Sequence, residues 1–161
     1  MHLNSGNTPA DACWIGIDPG GVRLGIAAAD PSGTLASPLG AIPTEPRDTL
    51  FSRVQSLLGQ KRIHGIVIGL PLTERGQEGD AASLAREIGA LLACSWPGEI
   101  VFVDERYSSR AAEQSTAQVR AKTSRQFGRA HRIELKQSGA LDALAAVEIL
   151  QSFLDSKKHR D

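Results

Sequence analysis

The stretch Trp14-Ile15-Gly16-Ile17-Asp18-Pro19-Gly20-Gly21-Val22-Arg23-Leu24-Gly25-Ile26-Ala27-Ala28-Ala29 decides how this chain folds. An apolar run ends in a carboxylate. A proline and two glycines follow, and an arginine then leads into a second apolar run. Apolar runs bounded by turn residues predict a buried strand, Cys13 to Asp18, that reverses into a second strand, Val22 to Ala29. Asp18 then falls where the first strand meets the open end of the sheet, the edge at which open α/β sheets hold ligands. Asp-Pro-Gly-Gly is also ordinary turn chemistry, so a functional role for Asp18 needs partners from elsewhere in the chain.

Asp30-Pro31-Ser32-Gly33 predicts a second turn. Thr34 to Ile42 reads as a third strand, confined to a sheet edge by Pro38 and Gly40. Leu50, Val54, Leu57 and Leu58 lie on one helical stripe in a segment from Pro46 to Gly59. Gly65 to Gly69 is short and apolar throughout, as in a parallel strand covered on both faces. Asp80 is a candidate N-cap for a helix carrying Leu84, Ile88, Leu91 and Leu92. Glu99 to Val103 is a further strand, ending at Asp104-Glu105. Ser108 or Ser109 begins a helix to about Arg120, and Ser138-Gly139 precedes a last helix to about Leu154. Three consecutive strands followed by strands alternating with helices give the order β-β-β-α-β-α-β-α-α. That is the ribonuclease H-like order: an α/β fold with a mixed five-stranded sheet, three antiparallel strands first and then two parallel, and helices on both faces.

Length and composition fit one soluble domain. The 161 residues include 41% apolar and 22% charged residues, and 18 basic residues balance 18 acidic ones. The expected division is a disordered tail over 1–12, a single domain over 13–155 and a charged tail over 156–161. Net charge therefore carries no global signal for nucleic acid, but its distribution does. Between Arg106 and Lys136 eight basic residues face two acidic ones, a local excess of +6. Such a segment is either a solvated basic loop or a phosphate-facing patch. Cys13 and Cys94 lack metal or redox spacing and read as reduced thiols. The first twelve residues lack the basic start and apolar stretch of a signal peptide, and no apolar run approaches bilayer-spanning length, so a cytoplasmic protein without membrane attachment is expected.

The acidic positions carry the chemistry. Phosphodiester hydrolysis needs an activated water and compensation for charge on the leaving oxygen, which two divalent ions about 4 Å apart can supply. Mg²⁺ takes oxygen ligands and keeps waters, so a few carboxylates on rigid elements suffice. Asp18 is one candidate. Asp104 and Glu105 exit the last strand on opposite faces, so one of the pair is expected to reach Asp18, and the sequence does not choose between them. Asp142 lies in the first turn of the last helix, on a stripe with Ala145, Ala146 and Ile149. An aspartate on an apolar face needs a partner or a metal, although a helix N-terminus also favours it. Arg23, after the glycine turn, is placed to meet a phosphate or to be solvated. His64 has no second ligand at metal spacing and reads as a surface residue.

Together these motifs resemble the RuvX/YqgF family, RuvC-like Holliday junction resolvases also described as pre-16S rRNA nucleases. The resemblance rests on Gly16-Ile17-Asp18-Pro19-Gly20-Gly21-Val22-Arg23-Leu24-Gly25-Ile26-Ala27, Ser37-Pro38-Leu39, Ile66-Val67-Ile68-Gly69-Leu70-Pro71-Leu72 with Gly76, Val103-Asp104-Glu105-Arg106-Tyr107-Ser108-Ser109-Arg110, and Leu141-Asp142-Ala143-Leu144-Ala145-Ala146-Val147-Glu148-Ile149-Leu150. The resemblance implies a metal-dependent endonuclease using Mg²⁺ (or Mn²⁺). Asp18, Glu105 and Asp142 would be catalytic, and Asp104 would join them as a possible metal ligand. Gly20, Gly21, Arg23, Arg106, Ser108, Arg110 and Lys136 would meet nucleic acid. It implies as partner a structured RNA, the pre-16S rRNA or its precursor particle, or alternatively branched DNA, with the protein a monomer or homodimer. A two-fold junction would call for a dimer. Pro19 stands where an aromatic is common in the family, and Tyr107-Ser108-Ser109 replaces Leu-Thr-Thr. Two other classes are compatible with parts of the sequence: an actin-like nucleotide-binding module, which usually pairs two such domains where this chain has room for one, and a nucleic-acid-binding factor without cleavage.

Overall fold

The computed structural model describes residues 12–105 and 139–160. Its centre is the quoted stretch. Strand β1 (Ala12–Asp18) runs antiparallel to β2 (Arg23–Ala29), which pairs antiparallel with β3 (Ala36–Pro43). After a 3₁₀ turn, α1 (Leu50–Leu58) leads to β4 (Arg62–Leu70), parallel to β1. Helix α2 (Asp80–Ser95) leads to β5 (Glu99–Asp104), parallel to β4. The last described element is α3 (Ala140–Lys158). The sheet order is β3-β2-β1-β4-β5, the expected mixed five-stranded sheet with β3 at an edge.

Side-chain alternation divides the core into two layers. Cys13, Ile15 and Ile17 of β1 join Ile66 and Ile68 of β4 under Leu50, Val54, Ala85, Ile88 and Leu92 of α1 and α2. Trp14 of β1, Ala27 and Ala29 of β2 and Val67 of β4 face Ala146, Ile149, Leu150 and Leu154 of α3. By the same alternation Gly16 and Asp18 belong to the α3 face. The two layers of buried aliphatic residues hold β1 and β4 from both sides, which fixes the strand register and hence the side to which Asp18 points.

Several expectations shift at their boundaries. Asp80 is the first helical residue rather than the N-cap. Gly79 occupies the cap without a side-chain bond, and the Asp80 charge sits in the first turn, where the helix dipole favours it. Ala12 pairs with Arg62 and so belongs to β1 rather than to a tail. α3 continues through Lys158, so 156–158 are helical. Lys157 and Lys158 suit a helix C-terminus, and the Lys157 ammonium lies 4.6 Å from the Trp14 ring centroid. Cys13 is buried, Cys94 is exposed, and both are free thiols. Among the described residues no helix is long and apolar enough to cross a membrane. The expected helix from Ser108 to Arg120 and the basic segment from Arg106 to Lys136 lie outside the described residues.

Candidate active site

Asp18 ends β1 and is half-buried on the α3 face. The turn after it is tied to β3. The Thr44 hydroxyl donates to the Gly20 carbonyl at 2.6 Å, and the Thr44 N–H donates to the Val22 carbonyl at 2.9 Å. Thr44 is buried, which holds both of its donors in place under the turn. Gly20 is required by this turn, because a Cβ there would collide with the Arg23 carbonyl, whereas the space around Gly21 is open. Val22 stands exposed at the tip. Nothing in the sequence around Thr44, between Pro43 and Glu45, marks it as the residue that secures the turn.

Asp142 reaches the site because α3 sits unusually close to the sheet. A Cβ on Gly16 would stand 2.6 Å from Leu150 Cβ and 2.8 Å from the Ala146 carbonyl oxygen, and a Cβ on Gly25 would collide with the Asp142 carbonyl. Two glycines on adjacent strands thus form the bed on which the helix lies. The Gln151 side chain secures it further along, donating to the Thr34 carbonyl and accepting from the Ala36 N–H. The Asp142 side chain forms an ion pair with Arg23, Nε to Oδ2 at 3.2 Å.

Asp104 and Glu105 stand differently toward Asp18. Val101 and Val103 pack on the α3 layer and Phe102 on the opposite one, and just past the end of β5 it is Glu105 that lines a cleft together with Asp18. Gly69 of the neighbouring strand makes room, since a Cβ there would stand 2.5 Å from both Glu105 Oε1 and Ile149 Cδ1. A cleft of about 210 Å³ opens here, lined by Asp18, Glu105, Glu148, Ser152, Ala145, Val103 and Ile149. Glu148, with its Oε1 buried, is a site residue the sequence reading did not single out. A signal was present: Glu148 interrupts an otherwise apolar run from Ala143 to Leu150 and directly precedes core residue Ile149.

Electrostatics bind these groups into one unit. The Asp18 carboxyl is pushed up to about 7, first by burial and then by the charges of Glu105, Asp142 and Glu148. Burial, Glu148 and Asp104 also raise the Glu105 carboxyl. Four acidic side chains, from the end of β1, from just past the end of β5 and from α3, therefore share one field at the C-terminal edge of the parallel strands, and they repel one another when no cation is present. Among the described residues no three His, Cys, Asp or Glu side chains already stand at the spacing of one ion's ligands. The donor chemistry, carboxylate oxygens around a half-buried aspartate, nevertheless fits a hard divalent cation that keeps most of its waters and uses one or two carboxylates. Arg106, Ser108, Arg110 and Lys136, the other expected nucleic-acid contacts, lie outside the described residues.

Comparisons with known proteins give the chain its family and fold. The family model described as "RuvX: Holliday junction resolvase" matches residues 12–156. The chain belongs to the RuvX family. Its relatives include the "Putative pre-16S rRNA nuclease" of Sulfurihydrogenibium sp. (strain YO3AOP1), 36% identical over 143 residues and covering 88% of each chain. A protein of the same description from Roseiflexus sp. (strain RS-1) is 35% identical over 142 residues, covering 88% of this chain and 93% of its own. Among solved structures, "T. thermophilus RuvC in complex with Holliday junction substrate" superposes with a TM-score of 0.57 at 16% identity, over 91% of this chain and 96% of that one. At that identity the likeness bears on the fold, which is ribonuclease H-like in this family as in RuvC.

Proposed function

We propose that this RuvX-family chain is a metal-dependent endonuclease that hydrolyses phosphodiester bonds of structured RNA, with the 5′ end of pre-16S rRNA in the cytoplasm as its substrate. The observation that carries this reading is the convergence of Asp18, Glu105, Asp142 and Glu148 on one edge of the sheet, where Asp18 is pushed up to about 7. A carboxylate set this self-repulsive is stabilised by a cation, and Mg²⁺ or Mn²⁺ matches its all-oxygen donors. Asp18, Glu105 and Asp142 would hold the cation, with Glu148 beside them. When bound, it supplies Lewis-acid compensation for charge on the phosphate and leaving oxygens and favours deprotonation of the attacking water.

The chain's own residues do the rest. The Thr44-tied turn holds Asp18 still. Gly21, with open space around it, lets a sugar-phosphate backbone come close to the turn, and Arg23 is within reach of the same edge. The descriptions of the relatives support RNA as substrate, and the description of the family model supports a second reading, a four-way DNA junction.

Cleavage of a 5′-extended 16S rRNA precursor fragment tests this reading, run beside a labelled four-way DNA junction with Mg²⁺, with EDTA, and with D18N. RNA cleavage lost in both controls is expected. Cleavage of the junction alone would move the substrate to DNA. Cleavage that survives EDTA and D18N would overturn the assignment.

A further inference from the structure

We infer that Val22 is a wedge that opens a paired RNA at the cleavage step: its side chain enters between two stacked bases beside the phosphate that the acidic edge takes. The inference rests on the nuclease reading above and adds what the site does to a paired strand. Three observations carry it. Val22 is 81% exposed, and among the described residues the other large apolar side chains so placed are Leu35 and Leu141. Single apolar residues on a surface are ordinary, but this one stands at the tip of a tight turn, where glycine, asparagine, aspartate and serine are favoured. Local structure gives no reason for a β-branched apolar residue there, and the core gains nothing from it.

Second, the tip is held. The carbonyls of Gly20 and of Val22 itself both accept hydrogen bonds from Thr44, from its hydroxyl at 2.6 Å and from its N–H at 2.9 Å. Gly20 lies against the Arg23 carbonyl with no room for a Cβ. The valine therefore projects from a fixed backbone, and its branched Cβ leaves it few rotamers. A group already ordered loses little freedom on entering a base step. Third, the tip stands at the acidic edge. Val22 lies in the turn that follows Asp18, and its neighbour Arg23 pairs with Asp142. Leu141, 43% exposed, directly precedes Asp142 on α3, which brings a second exposed apolar residue to the same edge. Leu35 follows the end of β2, at the other end of the sheet.

These features fit a stack of bases in a structured RNA. The minor groove of an A-form helix is wide and shallow, within reach of a short side chain. Apolar side chains inserted between base steps unstack and kink a duplex. The kink has a use at this site. Asp18 is half-buried and the cleft beside it holds about 210 Å³, whereas a regular helix carries its phosphates on a convex surface. Unstacking one step frees the strand to bend and lets a phosphate descend to the carboxylates.

A substrate that is already open separates a wedge from a residue that serves folding or general binding. Hairpins are made from the 5′-extended 16S precursor fragment, one paired across the cleavage step and one with a mismatch there. Single-turnover cleavage with Mg²⁺ is measured for the full chain as wild type, V22S and V22I, with circular dichroism confirming the fold. V22S is expected to cut the paired hairpin about tenfold more slowly than the wild type, and the mismatched hairpin within about twofold of it. V22I keeps the apolar wedge and should match the wild type on both. V22A has the same expected sign as V22S and serves if V22S folds poorly. An equal loss on both hairpins, or no loss on either, would overturn the wedge and leave the nuclease reading standing. A second readout needs no cleavage. With Ca²⁺ in place of Mg²⁺, the fluorescence of 2-aminopurine at the cleavage step should rise on binding the wild type, as the base unstacks, and much less on binding V22S. An equal rise with the two proteins would overturn the wedge. If the wild type cuts neither hairpin, the nuclease reading fails, and the fluorescence alone then decides the wedge.

Discussion

The Asp142 carbonyl lies against Gly25, in the space a side chain would need, and Gly25 is the residue paired across the sheet with Asp18. The helix that carries one acidic residue is thus seated directly opposite the strand position of another. The close approach needs no polar contact between the two carboxylates. It is set by the absence of one methyl group, and it holds two like charges near each other because the packing beneath them is strong. Leu150 and Leu154 of α3 are essentially fully buried on the same face, each worth about 1.5–3 kcal/mol of transfer free energy.

G25A should accordingly be among the most damaging conservative changes in the chain. The added methyl meets backbone rather than the flexible end of a side chain, so the first turn of α3 must lift. A destabilisation of about 2–3 kcal/mol is expected, at the upper end for overpacking, together with loss of cleavage. Urea unfolding of G25A against the wild type checks the first part, and a midpoint within error of the wild type would refute the seating argument.

G69A is the informative contrast. Its methyl would meet Glu105 Oε1 and Ile149 Cδ1 at 2.5 Å and Ile149 Cγ1 at 3.2 Å, side-chain atoms rather than backbone. Stability should change by less than about 1 kcal/mol. Glu105 would nevertheless leave its position over the strand, and a displacement near 1 Å can cost on the order of a hundredfold in rate. A folded variant with unimpaired cleavage would show that Glu105 needs no particular place.

Most of the fold was legible in the sequence. The Asp18 turn, the edge strand broken by Pro38 and Gly40, and the apolar strand ending at Gly69 are local signals, written in neighbouring residues. The site was legible only where it coincided with those signals. Asp18 ends a strand and Asp142 begins a helix, so both stand out. Glu148 lies in the middle of a helix, and its role depends on β5 bringing Glu105 across from it. Thr44 acts through a hydroxyl bond to a turn some twenty positions earlier. The choice between Asp104 and Glu105 needs the cleft that Glu105 lines with Asp18, a property of the packed sheet and helix rather than of the strand.

Thr44 can be tested without disturbing volume. T44V removes the hydroxyl that donates to Gly20 and leaves a part-buried carbonyl short of one partner. A cost of about 1–2 kcal/mol is expected from the lost bond, with cleavage falling further than stability alone explains, because the turn presenting Asp18 loosens. T44S keeps the donor and should restore cleavage more fully than stability. If T44V cleaves normally while folded, the turn does not depend on this tie.

Asp18 makes the metal-free protein sensitive to pH in a definite direction. Its carboxyl is raised from 3.8 to about 7 in the folded state, so between those values the native protein holds a proton that the unfolded chain has released. Stability must then fall as pH rises from about 4 to about 7, by at most about 4 kcal/mol. Above that range the penalty is fully present. D18N carries no ionisable group at this position and should lose the Asp18 part of the slope, leaving that of Glu105, whose carboxyl is also raised, and being more stable than the wild type at pH 8 in EDTA. Millimolar Mg²⁺ should recover stability in the wild type and much less in D18N. Thermal melts across pH 4 to 8 with EDTA and with Mg²⁺ measure both effects, and a wild-type stability that rises over that range would contradict the sign.

The last prediction separates the acidic residues from one another. D104N should leave cleavage within about threefold of the wild type, because Asp104 does not line the cleft that Asp18 and Glu105 share and its charge raises the Glu105 carboxyl. E105Q should cost far more, on the order of 10²–10³-fold, as expected when a group that compensates transition-state charge is lost. E148Q should fall between them. It lines the cleft with Asp18 and Glu105 and adds to the charge that raises both, so its neutralisation lowers the pH needed to ionise Asp18 while weakening the pull on a cation. The signature to look for in E148Q is therefore a rate profile displaced to lower pH and a higher Mg²⁺ requirement together. An E148Q protein indistinguishable from the wild type in both would return Glu148 to the packing of α3, and a D104N protein as damaged as E105Q would mean that lining the cleft does not govern which carboxylate serves the site.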